Sequence, residues 1–200
     1  MKILYATMNK SKIFNMKRRL KDEDIEIVTP NDMGISINVN EDGKKPVDNA
    51  VLKAQAYYDK TQMITMAADS GFYINGLEEA RQPGVYVRRV NDKTLSDDEM
   101  IDYYRSVAEE LGGEAEAHYV TGVALIVKGK LFTIEVEEEK MILTSKVYTG
   151  HKHKGNPLDV ITIDPVKNKY CIENVYEDYQ EGISIFDIKV KKFLKEHLNM

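Results

Sequence analysis

One cysteine, Cys171, stands in the whole 200-residue chain, so no disulfide can form within it. Alone, it reads as a small packed residue in a strand rather than as a nucleophile. No apolar run is long enough to cross a bilayer, and Met1-Lys2-Ile3-Leu4-Tyr5 carries no secretory apolar core, which predicts a cytosolic chain with no membrane partner. A basic face is lacking too: 28 Lys and Arg stand against 33 Asp and Glu, for a formal net charge of −5. Capture of a nucleic-acid polymer needs the opposite balance, and a small phosphorylated ligand is the better match. Repeats, low-complexity tracts and a dividing linker are absent as well. What is present is 42% hydrophobic content, enough to fill a core in one large domain or a core with a lobe.

Residues 1–70 alternate strand and helix patterns, the signature of an α/β sheet. Residues 3–6 read as a strand, Thr7-Met8-Asn9-Lys10-Ser11 as a loop, and Ile13, Met16 and Leu20 mark one face of a helix. Residues 25–28 give a second strand. A second helix is predicted from about 46 to 60, with Pro46 in its first turn and Val47, Val51, Ala54 and Tyr58 at helical spacing. Residues 63–68 form a strand apolar enough to be covered on both faces. Farther on, Ser96-Asp97-Asp98-Glu99 is a capping box opening a helix to about residue 111. Residues 119–127, 131–136 and 141–148 read as an antiparallel meander, with Lys128-Gly129-Lys130 as its first turn. Glu137-Glu138-Glu139 reads as a solvated strand end. A loop over 150–158 holds His151, Lys152, His153 and Lys154, Ile161 and Ile163 mark a short strand, and residues 184–198 close the chain as a helix.

Three segments have the composition of a polyphosphate site. The Thr7–Lys12 loop precedes a helix, where free backbone donors, the helix dipole, hydroxyls and lysines attract phosphate; it has no glycine, so it is not a Walker loop. Glu41 and Asp42 precede the second helix and Asp48 sits in its first turn, where carboxylates favour the dipole or hold a divalent cation. Asp69 closes the run Met66-Ala67-Ala68-Asp69-Ser70-Gly71, predicted as the end of a buried strand entering a tight turn. An anion there needs a metal, a cation or donors, although Asp-Ser-Gly also suits an ordinary Asx-turn.

Thr7-x-Asn9-x-x-Lys12, Asp48-Asn49-Ala50-Val51-Leu52-Lys53-Ala54, Ala68-Asp69-Ser70-Gly71-Phe72 and Pro83-Gly84-Val85-Tyr86 occur in an order and spacing that resembles the noncanonical purine nucleoside triphosphate pyrophosphatases, the inosine triphosphatase or Ham1-like family. The match is dense from residue 3 to about 90. The resemblance implies a single elongated α/β domain over 1–200, with a long twisted mixed sheet flanked by helices, two lobes and a central nucleotide cleft. It also implies magnesium-dependent hydrolysis of a nucleoside triphosphate to monophosphate and pyrophosphate by a homodimer. Carried over residue by residue, Asp69 is the catalytic acid, Glu41 and Asp69 the Mg2+ ligands, and Thr7, Asn9, Lys12, Lys53 and Ser70 the substrate contacts.

The second half departs from the family pattern. Ala68 stands where the family has the first of two adjacent aspartates. Asn156-Pro157-Leu158-Asp159-Val160 replaces an aromatic-Gly-Tyr-Asp-Pro segment and keeps Asp159 as a substrate contact. Ser184-Ile185-Phe186 stands in place of Ser-His-Arg, leaving Phe186 to stack or pack against a base without donating hydrogen bonds to it, which predicts an altered base specificity. Two other readings stay open: a non-catalytic nucleotide-binding protein, which Ala68 motivates, and a hydrolase of another modified nucleotide, which the altered base segment motivates.

Overall fold

The computed structural model describes residues 1–91, 93–150, 156–173 and 184–198. The basic loop holding His151, Lys152, His153 and Lys154 lies outside the described residues. The chain divides into two compact units, one of Met1–Ser70, Val120–Glu137 and Ile185–Met200, the other of Gly71–Tyr119 and Glu138–Ser184.

In the first unit β1 (Lys2–Tyr5) runs parallel to both β2 (Glu26–Val28) and β3 (Thr65–Ile74), pairing Ile3 with Ile27 and Tyr5 with Met66. β6 (Glu114–Val127) lies next to β3 and pairs antiparallel with β7 (Lys130–Glu137). The turn between them, Lys128-Gly129, takes positive φ at both residues (50° and 77°), the twist that a two-residue hairpin favours. Strand side chains alternate faces. Ile3, Tyr5, Met66 and Ala68 pack towards Met16 and Leu20 of α1 (Lys10–Arg19) and Val190 and Leu194 of the final helix, Ile185–Leu198. Leu4, Ala6 and Ala67 pack on the other face against Ala50, Ala54 and Tyr57 of α2 (Pro46–Thr61). Both faces of β3 are therefore covered, as its unbroken apolar run predicts.

Small residues let α2 lie close to the sheet. A Cβ at Gly122 of β6 would sit 2.2 Å from the Val47 nitrogen, so the first turn of α2 rests on strand backbone. The buried stripe of α2 is accordingly Pro46, Asn49, Ala50, Ala54 and Tyr57. This corrects the expected face: Val47, Val51 and Tyr58 are each only partly buried, because the close approach selects the alanines.

The second unit is built on β3 from Gly71 onward and on β6 up to Tyr119. β6 pairs antiparallel with β8 (Met141–Thr144), β8 with β9 (Thr162–Asp164), and β9 with β10 (Lys169–Tyr170). A separate short hairpin joins β4 (Arg89–Val90) and β5 (Lys93–Thr94). α3 (Asp97–Glu110) opens with the expected capping box: the Glu99 amide donates to Ser96 Oγ (3.3 Å) and the Ser96 amide to Glu99 Oε2 (2.8 Å). Tyr104 of α3 meets the Phe72 ring edge-on, with centroids 5.8 Å apart.

The expected mixed α/β class is the one observed, with eight strands hydrogen-bonded in one mixed sheet flanked by helices. Several boundaries differ. β6 begins at Glu114 instead of 119, β8 stops at Thr144 instead of 148, and Cys171 lies in a helical turn, half-buried, instead of in a strand. Burial pushes the Cys171 thiol up to about 11, consistent with a packed, unreactive residue.

Candidate functional site

The central correction concerns Asp69. β3 does not end in a turn there but continues to Ile74, Gly71 is not among the positive-φ glycines, and the Phe72 amide and carbonyl both bond Gly84 (2.9 and 3.0 Å). The strand that stops is its parallel neighbour. β1 makes its last pair at Tyr5 and Met66, after which the chain leaves through Thr7–Asn9 into α1. Asp69 thus projects from a continuing strand into the space that β1 has vacated, the position beyond parallel strand ends where α/β folds bind ligands.

α2 and α1 supply its partners. Lys53 Nζ donates to Asp69 Oδ1 (2.9 Å) and to Glu41 Oε2 (2.9 Å), so one ammonium joins two carboxylates. Lys12 Nζ reaches Asp69 Oδ1 at 3.5 Å and the Ala68 carbonyl at 3.4 Å. Asn49 Nδ2 donates to Asp69 Oδ2 (3.2 Å). Asp69 and Lys53 side chains are only 14% and 12% exposed, against 39% for Glu41, so charge interactions at Asp69 are the less screened. Desolvation holds the Lys12 ammonium below the ordinary lysine range; the Asp69 charge opposes that shift and Lys53 adds to it.

Glu41, Lys53 and Asp69 line a cavity of about 370 Å³ with Thr7, Met8, Asn9 and Lys12 on one side and Ile37, Asn38, Val39 and Tyr57 on another, all within the first unit. The Thr7–Lys12 loop differs from expectation in one respect. The Ser11 and Lys12 amides are not free, because both donate to Asn9 Oδ1 (2.9 and 3.1 Å). Asn9 is the N-cap of α1, whose first turn carries no acid, so the dipole and the Lys12 ammonium are what this loop offers an anion.

The structure brings together Thr7, Asn9, Lys12, Glu41, Lys53 and Asp69. Ser70 lies beside them in sequence but turns to Thr121, Oγ to Oγ1 2.7 Å. Asp159 belongs to the second unit, in the single turn Pro157–Val160, where burial pushes its carboxyl up to about 6. Phe186 does not line the cavity. It is 4% exposed in the core of the first unit with the Arg19 guanidinium 4.8 Å from its ring centroid, because it begins the buried stripe of the final helix and Asp187 pairs with Arg19. Four cavity residues, Ile37, Asn38, Val39 and Tyr57, escaped the sequence reading, as did the bond from Asn49. The burial of Asn49 (2% exposed) on an otherwise apolar stripe is the signal that could have found it.

Glu41 and Asp69 form a donor set that fits a hard divalent ion in part. Two carboxylates facing one cavity match what magnesium takes alongside substrate phosphates and water. A cage made by the protein alone is not there: among the described residues no group of three or more His, Cys, Asp and Glu comes together, and Ala68 is buried at 4% exposure.

Comparison with known proteins decides the lineage. The Ham1 family model matches residues 3–155. The chain belongs to the Ham1 family. A Campylobacter jejuni protein described as dITP/XTP pyrophosphatase is 30% identical over 157 residues, covering 75% of this chain and 76% of that protein. One from Aliarcobacter butzleri with the same description is 32% identical over 141 residues, covering 67% and 69%. Among solved structures, a Ham1 protein from Coxiella burnetii superposes with a TM-score of 0.73 at 23% identity, covering 90% of this chain and 89% of that one. The Staphylococcus aureus Ham1 protein gives 0.69 at 21% identity, covering 100% and 98%. These likenesses agree with the Ham1 fold reached from the motifs.

Proposed function

We propose that this chain is a nucleoside triphosphate pyrophosphatase that hydrolyses noncanonical purine triphosphates of the dITP and XTP kind to monophosphate and pyrophosphate. The observation that carries the reading is Asp69, a shielded carboxylate on the wall of a cavity that also holds two lysine ammoniums, a helix N-cap asparagine and one further carboxylate. Lys12 and Lys53 bind and neutralise phosphate oxygens. Asp69 orients a water for in-line attack on the α-phosphorus and takes its proton. As the new phosphorus–oxygen bond forms, the bond from that phosphorus to the α–β bridging oxygen breaks, and pyrophosphate leaves with the electron pair. A divalent ion, proposed as magnesium, would be held by Glu41, Asp69 and the substrate's own phosphates and would offset charge on the transferring group. The same reading carries a cytosolic homodimer.

Pyrophosphate release from dITP, XTP, ITP and ATP, with magnesium and with chelator, tests the proposal. Turnover of the first three with magnesium is expected. Binding without turnover would instead favour the nucleotide-binding reading, which Ala68 supports by removing an acid.

A further inference from the structure

We propose that Asn49 is a positioning residue for Asp69, and that the backbone of Gly43 sets its orientation; the role rests on the hydrolytic reading above. Asn49 is the buried amide of α2, 2% exposed, one helical turn before Lys53 and on the same face. Its Oδ1 accepts the Gly43 amide at 2.9 Å, and its Nδ2 donates to Asp69 Oδ2 at 3.2 Å. The first bond decides the second. With Oδ1 held by a backbone donor, the side-chain NH2 is the end that faces Asp69, and an amide flip would set acceptor against acceptor.

The approach at Gly43 is close enough to act as a stop. A Cβ there would lie 2.7 Å from Asn49 Oδ1, 2.6 Å from Asp48 Cβ and 3.0 Å from the Asn49 nitrogen. Any side chain at 43 therefore crowds Asp48 and Asn49 and forces a shift there, with Asp69 not among its nearest neighbours. At the far end, Lys53 and Lys12 occupy Asp69 Oδ1 while Asn49 occupies Oδ2. An ionised carboxylate offers about four acceptor directions; two of these three donors are the lysines that phosphate can draw away, whereas Asn49 has no other role and stays. Asn49 thus fixes the plane of the carboxylate and selects which lone pair meets the attacking water, while touching no substrate atom itself.

The test compares wild type, Asn49→Ala, Asn49→Asp, Gly43→Ala and the Gly43→Ala/Asn49→Ala double variant by steady-state pyrophosphate release, with kcat and KM separated and Tm measured on each. For Asn49→Ala, kcat should fall about tenfold to a hundredfold, the scale of losing orientation at a reacting group, with KM within a few-fold of wild type. Asn49→Asp, which keeps an acceptor for the Gly43 amide but sets an acceptor against Asp69 Oδ2, should lose at least as much. Gly43→Ala should reproduce the kcat loss, and the double variant should lose little more than either single one. An active wild type whose folded variants keep kcat, lose through KM instead of kcat, or lose only in step with Tm overturns the positioning role alone. A wild type releasing no pyrophosphate from any triphosphate overturns the hydrolytic reading and this role with it.

Discussion

Asp69→Asn is the substitution that separates chemistry from architecture most cleanly. The amide is nearly isosteric, so β3 and its packing are undisturbed, but the charge shared by Lys53 and Lys12 disappears. Lys53 keeps Glu41 at 2.9 Å, and the new side chain can turn its oxygen to the lysines. Its NH2 then faces Asn49 Nδ2, donor against donor, at the place where a 3.2 Å bond stood. Stripping a fully buried ion pair of one partner costs about 3–5 kcal/mol, and with Glu41 still bound the stability loss should be about 1–3 kcal/mol. Activity should suffer more. An asparagine neither accepts the water's proton nor serves as an anionic ligand, and loss of a positioned general base costs roughly 10²–10⁴ in rate. Single-turnover pyrophosphate release with enzyme in excess of triphosphate, with Tm and triphosphate affinity measured on the same preparation, isolates the step. A variant that folds, binds and turns over within tenfold of wild type removes Asp69 from the centre of the mechanism.

Lys12→Ala should raise the KM for triphosphate more than it weakens inhibition by the monophosphate product, since the proposed partner of its ammonium is the polyphosphate; equal losses for both ligands would place it elsewhere. Asp159→Asn should stabilise the protein in a pH-dependent way. The folded carboxyl, near 6 against an ordinary 3.8, holds its proton where the unfolded chain has released it. Its cost therefore begins above about pH 4 and is complete above about pH 6, reaching at most about 3 kcal/mol. The Tm gain of the variant should be clear at pH 8 and absent at pH 4, and a gain of the same size at both would refute the assignment. Phe186→Ala should destabilise by about 3–5 kcal/mol as a core truncation, with the ratio of kcat/KM for ITP over ATP unchanged; a shifted ratio would return Phe186 to the base.

Much of the first unit was readable from the chain because its signals are local. The loop–helix start at Asn9, Pro46 opening α2 and the apolar run of β3 each announce themselves within a few residues. The motif set placed Lys12, Glu41, Lys53 and Asp69 in one cavity, since Lys12, Lys53 and Asp69 each ride on an element whose period the sequence declares. What failed depended on neighbours far along the chain. Asp-Ser-Gly has turn composition, but the Phe72 pairing with Gly84 and the neighbouring β6 keep it extended. The inward face of α2 was set by a glycine 75 positions after Val47, on another strand. Phe186 was assigned by order along the chain alone, whereas the stripe Phe186, Val190, Phe193 and Leu194 belongs to the core.

Gly122 also bears on how this site could be moved or rebuilt. A methyl at that position would stand 2.2 Å from the Val47 nitrogen, so helix and strand are spaced by backbone against backbone. The reach of Lys53 and Asn49 is calibrated from that spacing, since both hang from the helix that Gly122 admits. Transplanting the visible groups onto another α/β scaffold would leave their tips adrift unless the glycine travelled with them. Directed evolution faces the same boundary: an added atom at this one strand position displaces the helix that carries Lys53 and Asn49.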